Sequence, residues 1–134
     1  MDGESETRRT SFADCSGVVI GACIEVHRHL GPGLLESAYE ECVAYELSLR
    51  GLRFERQCSV PLDYKGMELD CGYRIDLVVE DAIILEIKCV DRLLPVHEAQ
   101  LLTYMRLRRI RTGLLINFRE AVIKNGLRRL TLSS

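Results

Sequence analysis

Between Ile75 and Lys88 the chain alternates so regularly that this stretch constrains the fold more than any other. Odd positions on both sides of a short turn are aliphatic: Ile75, Leu77 and Val79, then Ile83, Leu85 and Ile87. Even positions carry Asp76, Val78, Ile84, Glu86 and Lys88. Side chains of a strand alternate between two faces, so strands meeting at Glu80-Asp81 form a hairpin with one greasy face. A loop with an odd number of residues, such as Glu80 to Ala82, puts Asp76 on the face of Glu86 and Lys88. Two carboxylates and an ammonium then converge on a surface shared with Val78 and Ile84. Burying isolated charges costs on the order of several kcal/mol each unless they are paired or bind a metal.

A chain of 134 residues, 47% hydrophobic and 28% charged, suits one globular domain. Residues 1–13 read as a flexible tail and 14–134 as a single domain, with no repeats and no linker. No apolar run approaches the roughly 20 residues of a membrane span. The polar, acidic start (M-D-G-E-S-E-T-R-R-T) resembles neither a signal nor a transit peptide, which points to the cytoplasm. Cys15, Cys23, Cys42, Cys58, Cys71 and Cys89 include no C-x-x-C pair, so reduced thiols are expected in place of disulfides or a metal–sulfur site.

Charge is unevenly distributed. Residues 1–50 hold 4 basic and 9 acidic side chains, 51–100 hold 6 and 10, and 101–134 hold 8 and 1. The basic final block has the character of a surface that meets a polyanion. Arg106, Arg108 and Arg109, with Arg111 beyond them, are its candidate phosphate contacts.

Helical periodicity marks about Asp14 to Leu30, with Val19, Cys23, Val26 and Leu30 as a stripe widened by Ile20 and Ile24. Gly31-Pro32-Gly33 ends it, Gly31 suiting a left-handed cap. A second helix runs from about Leu34 to Leu49, with Leu35, Ala38, Cys42 and Leu49 near one face. A strand is expected over Phe54 to Tyr64, broken late by Pro61, then a turn at Tyr64-Lys65-Gly66. Met67 to Val79 reads as one long strand bulged near Gly72, and Ala82 to Val90 as its hairpin partner. Pro95 opens a third helix, to about Arg108, with Ala99, Leu102 and Met105 as its seam. Thr112 to Phe118 is a short buried strand. Residues 119–134 fit a turn, a helix or an edge strand equally. The crossover from the Ile83 strand to the Leu115 strand should be right-handed and parallel, giving an α/β layer domain with helices flanking a mixed sheet.

Hydrolysing a phosphodiester requires neutralised phosphate charge, an activated water and a stabilised leaving oxygen, most of which Mg²⁺ or Mn²⁺ on hard oxygen ligands can supply. Asp76 and Glu86 suit direct ligation, the Ile87 carbonyl lies between Glu86 and Lys88, and Lys88 suits orienting water or offsetting developing charge. The plainer alternative is a half-exposed strand face with a Lys–Glu pair worth about 0–1 kcal/mol.

The chain also resembles a known family. Gly33-Leu34-Leu35-Glu36-Ser37-Ala38-Tyr39 fits the G-x-x-E-x-x-Y signature of the small prokaryotic proteins named for it. Val26-His27, Leu30-Gly31-Pro32-Gly33, Asp76, Glu86-Ile87-Lys88, and Gln100 with Tyr104 look like the rest of that pattern, from about Ser16 to Phe118. The family is placed in the PD-(D/E)XK nuclease-like superfamily, with its restriction-endonuclease-like core of helix, three strands, helix and strand. The resemblance implies Asp76, Glu86 and Lys88 as a D…E-x-K centre, and Glu36 as the acidic residue of the first core helix. It also implies a Gln-x-x-x-Tyr pair like that of RecB-like nucleases, carried by Gln100 and Tyr104. Ile75 stands where the superfamily's name has Pro.

Other residues carry expectations of their own. Tyr39, three residues from Glu36, can pack in the core and hydrogen-bond a site carboxylate. Gln100 and Tyr104 face one side of their helix; Gln100 can touch the Lys88 region or a nucleotide edge, and Tyr104 can stack on a base or sugar. His27 is a candidate neighbour of the site, while His29 and His97 read as surface residues. These residues favour a metal-dependent nuclease acting on nucleic acid, DNA before RNA. An idle nucleic-acid-binding module of the same fold and a small protein-interaction domain are the alternatives. A domain this small has no obvious second DNA-reading module, which leaves room for a homodimer or a protein partner.

Overall fold

The computed structural model describes residues 15–133, so the tail expected over 1–13 lies outside the described residues. Helices α1 (Ser16–Leu30) and α2 (Glu36–Leu49) come first, then strand β1 (Phe54–Ser59). A small hairpin follows, β2 (Leu62–Tyr64) and β3 (Met67–Leu69), before β4 (Arg74–Val79) and β5 (Ile83–Lys88). Helix α3 (Pro95–Arg108), β6 (Thr112–Asn117), a 3₁₀ turn (Ile123–Gly126) and β7 (Leu127–Thr131) complete the order. The main sheet runs β1-β4-β5-β6-β7, and β2-β3 stands apart as a two-stranded sheet. The β5–β6 pair is parallel, as expected for a crossover through α3, and the other pairs are antiparallel. No helix of the described residues is long and apolar enough to cross a membrane.

Two cores separate along the alternation. Leu77, Val79, Ile83, Leu85 and Ile87 pack with α1 and α2 through Val19, Cys23, Tyr39, Val43 and Leu47. Val78, Ile84 and Leu115 pack on the other side with Leu101, Tyr104 and Met105 of α3. The β4–β5 loop has three residues, Glu80 to Ala82, and its register pairs Val79 with Ile83 and Leu77 with Leu85. Ile75 is the exception to parity. It packs with Cys58, Val60 and Ile84 on the α3 side, whereas Leu77 lies on the opposite one. The alternation therefore breaks at Asp76. Across from it on β1, the register passes from Arg56↔Leu77 to Cys58↔Ile75, skipping Gln57, whose φ is +51°.

Several expectations need correcting. Met67 to Val79 is two strands: β3 ends at Leu69, and the Asp70 carboxylate accepts the Gly72 N–H at 3.0 Å in a local turn, where Gly72 has φ +82°. The buried face of α2 is Tyr39, Glu40, Val43, Ala44 and Leu47, while Leu35 and Leu49 are exposed. On α1, Ile24 and Leu30 are exposed and Ala22 and His27 take their place in the core. The α3 seam is Leu101, Tyr104 and Met105, and Ala99 faces out. Apolar residues at helix ends or rims commonly stay exposed, since much protein surface is apolar. Residues 119–133 hold the 3₁₀ turn and edge strand β7. None of the six cysteines forms a disulfide, and burial pushes the Cys23 thiol up to about 12.

The link between α1 and α2 explains two residues of the G-x-x-E-x-x-Y stretch. Gly31 (φ +69°, ψ −177°) and Gly33 (φ +145°) occupy backbone regions open mainly to glycine; Gly31 is thus not a left-handed helical cap. The fully buried Tyr39 stacks on Phe118 with ring centroids 4.5 Å apart. Its hydroxyl accepts the N–H groups of Gly33 (3.0 Å) and Leu34 (3.2 Å) and donates to the Gly31 carbonyl. Tyr39 packs in the core as expected, but its hydroxyl serves this loop and no site carboxylate. Tyr39→Phe keeps the stacking and strands these backbone groups, so it should lower unfolding stability by about 1–3 kcal/mol. Urea denaturation should show a lower midpoint with an unchanged m-value.

Candidate active site

Where the β4–β5 ladder stops, side chains take over its hydrogen bonds. Beyond Leu77↔Leu85, the Asp76 N–H donates to Glu86 Oε2 at 2.8 Å, and the Ile87 N–H donates to Asp76 Oδ2 at 2.8 Å. Each carboxylate thus closes onto the opposite strand. Glu86 is only 4% exposed. Its carboxyl is pushed up to about 8, first by desolvation and then by repulsion from Asp76. Asp76 is raised too, by desolvation first, with the Ile87 N–H opposing and Glu40 adding repulsion. Lys88, two residues beyond Glu86, draws both downward by its charge. Lys88 forms no ion pair among the described residues, so the plain Lys–Glu surface pair is not what the structure contains.

Glu36 arrives from the first turn of α2. Its Oε2 accepts the Cys89 N–H at 3.1 Å, tying the helix start to the end of β5, and its charge raises both Asp76 and Glu86. Beside it opens a cavity of about 580 Å³ lined by Leu34, Leu35, Ser37, Cys89 and Arg119. Arg119, which the sequence reading passed over, pairs with Asp91 at 3.2 Å and brings one cation to this opening.

Two further residues were missed. Glu40, one turn after Glu36 on the same helix face, is 7% exposed and pairs with Arg56 at 3.0 Å. Gln57 donates to Glu40 Oε1 at 2.7 Å and to Asp76 Oδ1 at 3.4 Å. The i, i+4 spacing from Glu36 was the available signal for Glu40. Nothing in the sequence marks Gln57, because its role depends on an unusual backbone angle.

The remaining candidates divide. Tyr104 is 4% exposed and edge-on to Tyr73 at 6.3 Å, so its ring is a packed wall and not an open stacking platform. Its hydroxyl is nonetheless raised, by burial first and then by the charges of Glu86, Tyr73 and Asp76. Gln100 lines a groove of about 350 Å³ with Leu62, Tyr73, Val96 and Tyr104. His27 is a structural pin: its Nε2–H donates to the Glu120 carbonyl at 2.8 Å beside Phe118. Arg106 and Arg109 are exposed at the end of α3, and Arg109 is its left-handed cap. Arg108, one turn beyond Tyr104, interacts with Cys58 of β1.

Among the described residues no group of three His, Cys, Asp or Glu side chains forms a ready cation cage. The donors at the ladder's end are two carboxylates, with Glu36 within electrostatic range. Such hard oxygens fit Mg²⁺ or Mn²⁺. Mg²⁺ in particular often binds through one or two carboxylates and keeps several waters. Glu86, buried, and Asp76, half-buried, resist ionising together, and a divalent cation would offset their charge.

No curated protein and no solved structure matches the chain. A family model described as the PD-(D/E)XK nuclease superfamily does, over residues 13–130. That span takes in both flanking layers, the five-stranded mixed sheet and every acidic residue placed at the ladder's end, and this chain accordingly belongs to the PD-(D/E)XK nuclease superfamily.

Proposed function

We propose that this protein is a metal-dependent nuclease that hydrolyses phosphodiester bonds of nucleic acid, DNA before RNA. In this reading Asp76 and Glu86 hold Mg²⁺ or Mn²⁺. The observation that carries it is the pair of carboxylates at the end of the β4–β5 ladder, each bonded to the other strand, beside a lysine engaged by neither. Within the superfamily we place the chain with the G-x-x-E-x-x-Y proteins. Gly33 and Tyr39 build the loop that delivers α2, and Glu36 is the residue of that motif turned toward the site.

A bound Mg²⁺ neutralises phosphate charge and lowers the pKa of water. Asp76 and Glu86 provide its carboxylate oxygens. The N–H and C=O of a strand residue face the same neighbour, so the Ile87 carbonyl borders the gap that its N–H closes onto Asp76. Glu36 adds a third negative charge from the helix side. Lys88 offsets the charge that grows on the phosphate as water attacks phosphorus and the leaving oxygen departs. Arg106 and Arg109, with Arg108 beside them, supply backbone affinity without sequence reading.

The raised carboxyl of Glu86 gives the account a sign. A carboxyl whose folded pKa exceeds its unfolded value favours the protonated folded state. Its contribution to stability is complete below the ordinary carboxylate range and is lost as pH rises toward about 8. The metal-free melting temperature should therefore fall across that window. Glu86→Gln should flatten the fall, and Mg²⁺ should stabilise the wild type more at pH 8 than at pH 5. Scanning calorimetry at several pH values, with and without Mg²⁺, checks this.

Lys88→Ala should leave the fold and metal binding in place, since the lysine is no ligand. Cleavage should drop roughly a hundredfold or more, on the order of 3 kcal/mol. Melting temperature and plasmid cleavage in Mn²⁺, measured on one preparation, check it. Reduced stability with near-normal specific activity would reject the catalytic role, and a wild type that binds metal without cutting would favour the idle-module alternative.

A further inference from the structure

We propose that Gln57 is a positioning residue for Asp76, held in its own unusual conformation by Glu40. The metal consequence of this proposal rests on the nuclease reading above; the positional claim does not. Gln57 has φ +51°, in the left-handed region that residues other than Gly, Asn and Asp seldom enter. It sits inside β1, where such an angle breaks the ladder, and the register omits the pairing of Gln57 with Asp76. Backbone angles of this kind persist when surrounding structure fixes them, and they cluster at functional sites.

What fixes Gln57 is visible in the side chains. Its amide nitrogen carries two N–H bonds, and two carboxylate oxygens lie within reach, Glu40 Oε1 at 2.7 Å and Asp76 Oδ1 at 3.4 Å. Glu40 is the anchored partner: it is buried in α2, and its second oxygen accepts from Arg56 Nε at 3.0 Å. Arg56 is in turn tethered to Glu41 at 2.8 Å. The chain of contacts therefore runs from α2 through Glu40 and Gln57 to Asp76, whose other oxygen is held by the Ile87 N–H. With both oxygens engaged by separate partners, the plane of the Asp76 carboxylate is set by β1 and β5 together. The amide also stands between two carboxylates that repel each other. Glu36 and Glu40 thus divide the work of α2, the first at the end of β5 and the second, through Gln57, at the start of β4.

Amide hydrogen exchange of Ile87 in the metal-free protein reads the position of Asp76 directly, because that N–H is bonded to Asp76 Oδ2. Gln57→Leu keeps a side chain of similar length but removes the amide. It should speed Ile87 exchange about tenfold relative to other β4 and β5 amides, and weaken Mn²⁺ binding about tenfold by calorimetry. Glu40→Gln, which acts through Gln57, should move both readouts in the same direction by less. Unchanged Ile87 exchange in both variants overturns the proposal. So does a uniform rise across all sheet amides, which would make Gln57 a general support of β1. A wild type that binds no Mn²⁺ while Gln57→Leu still releases Ile87 would uphold the positioning role and reject the metal reading instead.

Discussion

The rest of the site depends on the reciprocal bonding of Asp76 and Glu86 across the end of the β4–β5 ladder. An antiparallel pair normally continues by exchanging backbone N–H and C=O groups. Here the two carboxylates accept backbone N–H groups instead, Asp76 N–H to Glu86 and Ile87 N–H to Asp76. This keeps the backbone donors satisfied while holding two carboxyl groups close together. Neither carboxylate can rotate away without leaving an N–H unpaired, a loss of about 1–3 kcal/mol. The backbone of the sheet therefore fixes the spacing of the two acids.

Electrostatics at that point are unbalanced by design of the fold. Desolvation raises both carboxyls, Asp76 adds repulsion on Glu86, and from α2 Glu40 repels Asp76 while Glu36 repels both. Lys88 opposes this by its charge without closing an ion pair. A structural salt bridge would have consumed the lysine. In the nuclease reading proposed for this protein, a site that takes a cation and leaves its lysine available to substrate accounts for both facts. The family match over residues 13–130 agrees with that chemistry.

The hairpin was legible in the sequence because period-two patterning is strong where one face is buried, and the loop of Glu80 to Ala82 set the parity. The convergence of Asp76, Glu86 and Glu36 was legible partly from that parity and partly from the family resemblance. The parity argument reached it by an incomplete route. Ile75 lies on the opposite side from Leu77, so the alternation breaks at Asp76, whose carboxylate meets Gln57 and, through it, Glu40 from elsewhere in the chain. No local pattern encodes such a tertiary contact. The helix faces failed for a different reason. Leu30, Leu35 and Leu49 look like core residues but lie at helix ends, while His27, Tyr39 and Glu40 are buried because each finds a specific hydrogen-bond partner. A polar side chain with a guaranteed partner can displace an apolar one from the interior, and partners across the fold are invisible to periodicity.

The central claim is that the end of the β4–β5 ladder is a divalent cation site. Anomalous scattering from a crystal soaked with Mn²⁺ tests it most directly. The account predicts a peak bonded to carboxylate oxygens of both Asp76 and Glu86, lost in Asp76→Asn. A fully ordered site with no peak there, or Mn²⁺ bound only at other surface carboxylates, would contradict it.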